Sequence, residues 1–443
     1  MFERKRQKLS YESSTKAGRH LVATSKWLGL LVISGACQFA TAATWCVSPG
    51  GSCGNASIGA AIKQASPGDT IQVQPGIYNE SVVINKPLSL IGAGGGSTII
   101  NAIGQSTGIF IDGTAKAPAT GISNVIVSGL SVQNANFEGI LVGNASEITI
   151  SNNQVVNNTR GLNVAAGACP NQPAFETNEG FDCGEGIHLM GVNHSILANN
   201  IVKNNAGGIL ISDETGPSHD NLIAGNTISN NPYDCGITLA SHTPAASSGL
   251  TLPAGVYHNV ISGNLSTNNG LLAPGAGAGV GIFAAGPGNQ NYGNVIINNT
   301  LTGNGLPGVT MHNHASVAKA PPVNMNDNMI IGNVISGNAA DTDDAATPGT
   351  TGINIFSLAP VTGTIIALNK INNEQIDIAV NTPGADVQAN LNDLQGQTGV
   401  NNLGAGTVDA AQNYWGCAGG PGQSGCASVI GLVLSAAWAV VPF

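Results

Sequence analysis

The chain has 443 residues, of which 9% are charged and 4% aromatic, with 61 glycines and a formal net charge of −10. Its 42% apolar content excludes an intrinsically disordered chain, which needs less apolar surface and more charge; abundant Gly and Asn instead suit short strands joined by tight bends. Seven of the fourteen Lys/Arg lie in the first 26 residues, so beyond that leader seven basic residues stand against twenty-two acidic ones, a formal −15. Nucleic acid, whose phosphates demand Lys and Arg, is excluded as a partner.

In chain order, Arg4, Lys5, Arg6, Lys8, Lys16, Arg19 and Lys26 precede an apolar run at 27–36 and the small-residue site Ala40-Thr41-Ala42. That order predicts a secretory signal over 1–42 and hence a secreted or periplasmic protein; retention of the leader as an anchor is the alternative. No later segment is long and apolar enough to span a membrane. Cys37 leaves with the leader. Spacing suggests that Cys46 pairs with Cys53, Cys169 with Cys183 and Cys417 with Cys426, with Cys235 a buried leftover.

Residues 43–121 read as an N-terminal cap and first coils. An amphipathic helix is predicted over 56–66, stopped by Pro67-Gly68-Asp69, and strands over 70–73, 81–84 and 88–91. Residues 122–416 carry a repeat of Gly, Ile or Val, any residue and an apolar residue. It occurs at Gly139, Gly161, Gly186, Gly208, Gly236, Gly308 and Gly352, with intervals as short as 22 residues. Between copies lie period-2 strands bounded by Asn, so each coil offers about three short strands and no helix, which is a parallel β-helix. Asn152, Asn199, Asn226, Asn299, Asn333 and Asn369 are expected to stack about 4.8 Å apart. Residues 417–443 read as a C-terminal cap, entered through Asn413-Tyr-Trp-Gly-Cys.

The entry stretch Ala60-Ala-Ile-Lys-Gln-Ala-Ser-Pro-Gly-Asp-Thr-Ile-Gln-Val-Gln-Pro-Gly-Ile-Tyr and the Gly-Ile column resemble the right-handed parallel β-helix proteins of the pectin-lyase-like superfamily, including the NosD-like repeat proteins. The resemblance implies an all-β, single-stranded, right-handed solenoid with a short N-terminal capping helix. It leaves activity open, because that fold carries lyases, esterases, hydrolases and proteins without catalysis.

In so sparsely charged a chain, the concentration of acids and histidines near the Gly column marks the candidate site. Alternation places His188, Leu210, Thr238, Phe283, Thr310 and Asn354 on the outer face. Glu214 and His242 fall on consecutive coils, a carboxylate placed to orient an imidazole, and with Asp213 they are the acid/base candidates. His188, Glu185, Tyr233, His312 and His314 are substrate-binding candidates, and Glu179, Asp182 and Asp234 metal candidates for a divalent cation such as calcium. Glycoside hydrolysis, proton abstraction and metal binding all fit these residue types. The expected protein is a monomer that binds, and in one reading cleaves, a carbohydrate polymer; the alternatives are a noncatalytic NosD-like periplasmic metal-handling or maturation protein and a structural surface solenoid.

Overall fold

The computed structural model describes residues 42–115, 120–164, 184–242, 244, 249–272, 275, 277–313, 315 and 321–443. The expected leader, Glu179, Asp182, His314, Cys169 and Cys183 lie outside the described residues. No helix among the described residues is long and apolar enough to cross a membrane.

Near the start, the helix Ile58–Gln64 is shorter than the sequence predicts because its ends are fixed by side chains. Ser57 Oγ accepts from Ala60 N, Glu80 accepts from Ile58 N and Gly59 N at 2.8 and 3.0 Å, and Lys86 Nζ donates to the carbonyls of Ile62 and Ala65. A carboxylate at the N-terminus and an ammonium at the last carbonyls both satisfy groups that the helix leaves unpaired. Its inner face, Ile58, Ala61 and Ile62, closes the end of the core. The predicted strands appear at Thr70–Val73, Val82–Ile84 and Ser89–Ile91, accompanied by Gly76–Tyr78, Thr98–Asn101 and Ile109–Asp112, which the pattern did not single out.

Among the described residues all strand pairings are parallel, in one sheet of 28 strands and another of 11. One in-register column illustrates how the coils stack: Ile140, Ile187, Ile209, Ile237, Val280, Val309, Ile353, Ile378 and Val400 lie one above another, every one fully buried. The glycines preceding these residues are required by close approach: a Cβ on Gly139 would meet the Gly186 carbonyl oxygen at 2.6 Å, and one on Gly279 the Gly308 oxygen at 2.6 Å. Gly161 does not belong to the column. Strand Ile140–Ser151 pairs directly with Glu185–Asn193, so Gly139 to Gly186 is a single coil with a long insertion. Asp377 takes the column position between Gly352 and Gly399.

Among the described residues three buried ladders of polar side chains run along the bends. The longest is Asn153, Asn200, Asn226, Asn264, Asn299, Asn333, Asn369, Asn392 and Asn413. Each Oδ1 takes both the backbone N–H and the side-chain amide of the preceding member. The sequence places Asn152 and Asn199 here one residue too early; both instead adopt left-handed φ, 57° and 56°, a conformation Asn tolerates.

Cys46 is bonded to Cys53 and Cys417 to Cys426, as their spacing suggests, while Cys235 is a buried free thiol. The expected third bond, Cys183 to Cys169, is not among the described disulfides, because both of its cysteines fall outside the described residues. Spacing therefore accounts for two bonds among the described residues, and the pairing of Cys183 rests on the sequence alone.

Candidate functional site

Strands Glu185–Asn193, Gly207–Ser212 and Ile237–Ser241 are buried on both faces, as parallel strands commonly are. The outward column expected at the surface is therefore enclosed: His188, Leu210, Thr238, Thr310 and Asn354 are all buried. Phe283 is displaced from that column. It stacks between Ala240 and His312 in the next one, because Gly279 and not Gly281 is the repeat glycine of its coil.

Within this enclosed layer, side chains from successive coils form a continuous chain. Glu138 Oε1 lies 3.0 Å from His188 Nδ1, His188 Nε2 lies 2.7 Å from Ser212 Oγ, the Ser212 hydroxyl donates to Glu214 Oε2, and Glu214 Oε1 lies 2.7 Å from His242 Nδ1. Burial raises the affinity of Glu214 for a proton, but the charge and hydrogen bond of His242, the charge of His188 and the Ser212 hydroxyl outweigh it and hold the carboxyl at about 2. Glu214 is thus ionised and takes the single Ser212 proton, so His188 Nε2 donates to Ser212 Oγ while its Nδ1 faces Glu138 Oε1.

Asp213 faces the other side of the Gly207–Ser212 strand end. It accepts from His242 N at 2.7 Å, Ser241 Oγ at 2.9 Å and Gly255 N at 2.6 Å, tying together both ends of the segment between them. Burial raises its pKa against those hydrogen bonds. Its three contacts make Asp213 a positioning group for His242.

The site candidates separate into three groups. Glu185, whose N–H donates to Glu138 Oε2, joins Glu138 and His188 in a set of potential ligand atoms within 4.8 Å of one another. Asp234 flanks the same place across Gly207, and its Oδ1 accepts from Cys235 N; neighbouring Tyr233 is half-buried. Glu214, His242 and Asp213 form the second group. His312 stands four strands beyond the His188 strand, about 19 Å along the axis at the usual strand spacing, and pairs there with Asp341 at 2.8 Å beside Asn354. Burial raises the pKa of Asp341, but the His312 contact prevails and lowers it.

Glu138, Ser212 and Asp341 escaped the sequence reading. A signal for Glu138 exists: it precedes its column glycine as Glu185 precedes Gly186, and the two are in register. Ser212 and Asp341 have no comparable mark.

The stacked parallel coils, polar ladders and capping helix make the chain a right-handed parallel β-helix protein. Residues 62–246, which contain the Glu138–His242 chain, match the family described as "Periplasmic copper-binding protein (NosD)". No curated protein matches the sequence. Among solved structures the chain is similar to ORF18 of Geobacillus virus E2 (12% identity, TM-score 0.47, 79% of this chain and 57% of that one), so it spans a little over half of the viral protein. It is also similar to an alginate lyase from Paenibacillus sp. str. FPU-7 (13%, 0.42, 78% and 97%) and to pectate lyase Pel9A (16%, 0.49, 80% and 80%). Such likenesses carry no residue role across.

Proposed function

We propose that this chain is an extracytoplasmic β-helix protein that binds a neutral polysaccharide on the coil face organised by Glu138, His188, Ser212, Glu214 and His242. The observation that carries the reading is the alternating acid–imidazole chain itself. The coil after His242 closes without one: there the same two columns hold Gly281 with Phe283. An ionic network that the fold does not require, placed where the coils carry their long insertions, points to a ligand. Neutral glycans are favoured over polyuronates because a −15 surface with seven basic residues repels polyanions. Cleavage by Glu214 and His242 needs the enclosing layer to open, since both are buried; binding does not, and binding is the function proposed.

Retention of the mature protein on neutral glucans and xylans, measured beside polyuronates, tests this. The expected result is binding to a neutral glycan that falls at least about tenfold in His242→Ala, with polyuronates unbound. Absence of retention on every glycan would refute it, and reducing ends released by the wild type but not by Glu214→Gln would add catalysis. The second reading, metal handling outside the cytoplasm, is favoured by the family match over residues 62–246.

A further inference from the structure

On a bend away from the enclosed chain, one column of residues breaks the rule that governs the others. Positions with left-handed φ are mostly Asn or Gly throughout the solenoid, yet one such column reads Glu147, His194, Asp220, His258, Gly293 and Asp327. Left-handed backbone is costly for a histidine, and the solenoid bears it at His194 and again at His258 (φ 50° and 55°). Beside it runs a second column, Asn193, His219, Tyr257 and Tyr292. His219 is stacked on Tyr257 with ring centroids 4.9 Å apart and planes within 1°, and Tyr257 on Tyr292 at 5.1 Å, so the imidazole of His219 is held by an aromatic stack.

These two columns bring His194, His219 and Asp220 to one point. Asp220 Oδ2 lies 2.7 Å from His219 Nδ1 and 3.8 Å from His194 Nε2, and the three residues offer ligand atoms all within 4.8 Å of one another. The rings of His194 and His219 meet edge to face, 81° apart. His194 Nδ1 lies 2.9 Å from Asn193 Oδ1; since an amide oxygen only accepts, Nδ1 donates there and Nε2 is the ring nitrogen turned toward Asp220. A neighbouring acceptor that fixes a histidine tautomer in this way is a recurrent feature of metal sites. Side-chain exposures of 58% for His194, 45% for Asp220 and 19% for His219 leave the point open to solvent.

We infer that His194, His219 and Asp220 form a surface site for an imidazole-preferring divalent ion, Cu²⁺ ahead of Zn²⁺. Two imidazoles and one carboxylate match the donors these ions select, and the order of the two follows the general affinity series. Calcium, which takes six to eight oxygens, is refused by this donor set. An ion coordinated by Nδ1 of His219 takes the place of the hydrogen bond that this nitrogen now makes with Asp220, the ring keeping its one N–H at Nε2. This site stands apart from the glycan-binding reading and from the buried group of Glu138, Glu185 and His188.

Titration calorimetry of the mature protein with CuCl₂ and with ZnCl₂ tests the inference. The expected result is one ion per chain and nitrogen hyperfine structure from two imidazoles in the Cu²⁺ paramagnetic resonance spectrum. His194→Ala and Asp220→Asn should each weaken binding about 10–100-fold while leaving metal-free thermal unfolding unchanged, as both side chains are exposed. Failure of the wild type to bind either ion overturns the inference. Binding that survives both substitutions overturns it as well and transfers the ion to another place, for which the His188→Gln variant identifies the buried group.

Discussion

Replacing His242 by alanine is the perturbation that most directly tests the enclosed chain. Glu214 is fully buried and keeps its carboxyl at about 2 only because His242, His188 and Ser212 together outweigh burial. Relative to the usual 4.5, that depression corresponds to roughly 3 kcal/mol of stabilisation at neutral pH. Removal of one partner from a buried pair costs about 3–5 kcal/mol, because the remaining charge is stranded. The expected loss at pH 7 is therefore about 3 kcal/mol. The sign follows from the depressed pKa: the stabilisation is complete above the ordinary carboxylate range and disappears as pH falls from 4.5 toward 2, whereas in His242→Ala the loss is already present at neutral pH. Adding Glu214→Gln to that variant should recover most of the loss, since a neutral amide strands no charge. Urea unfolding gives the global value, and because a repeat array need not unfold in one step, amide exchange in strands 207–212 and 237–241 gives the local one. A single-variant loss below about 1 kcal/mol, or two substitutions that add within about 0.5 kcal/mol, would refute the reasoning.

Further outcomes follow from other buried groups. Glu374 ends one polar ladder, its Oε1 accepting from Asn338 N and Nδ2 at 2.9 and 3.1 Å, and burial pushes its pKa up to about 7 near the acid Asp377. The folded state therefore retains a proton that the unfolded state has lost, and stability should fall as pH rises from 4.5 to 7; Glu374→Gln should remove its share of that slope and stabilise the protein at pH 8 by up to about 3 kcal/mol, read by denaturation of the variant and the wild type across pH. Asn264→Ala removes acceptors for Asn226 N and Nδ2 and donors to Ile223 O and Asn299 Oδ1. At about 1–3 kcal/mol for each buried group left unsatisfied, a loss of about 3–5 kcal/mol is expected in urea unfolding, and a loss below 1 kcal/mol contradicts a structural role for the ladder. Cys235 is 1% exposed and burial raises its thiol pKa well above normal, so the native protein should resist iodoacetamide at that position and react only once unfolded.

How much of this was legible in the sequence depended on which periodicity carried the information. The Gly-Ile column is a strict local pattern, because a Cβ at Gly139 or Gly279 would strike the next coil's carbonyl, and it revealed the stacked coils and the adjacency of Glu214 and His242. It misled at Gly161, where the same tetrapeptide lies outside the stack: a tetrapeptide has no means of recording which strands pair. Asn152 and Asn199 show the same limit at one-residue scale, since the left-handed bend and the buried ladder position are adjacent and both favour Asn.

Burial was the larger omission. Alternation correctly put His188 and Leu210 on the outward side of their strands, but outward is not exposed when a strand is buried on both faces. That difference changes the chemistry available. An exposed Glu214–His242 pair would be an accessible acid and base, whereas the enclosed pair is linked through Ser212 and His188 to Glu138. A proton cannot be added or removed at one member without altering the charge balance of the whole chain. Substituting Glu138, four links from His242 along these contacts, should therefore disturb the same coil face as substituting His242 itself, a coupling that no reading of single residues along the sequence could have supplied.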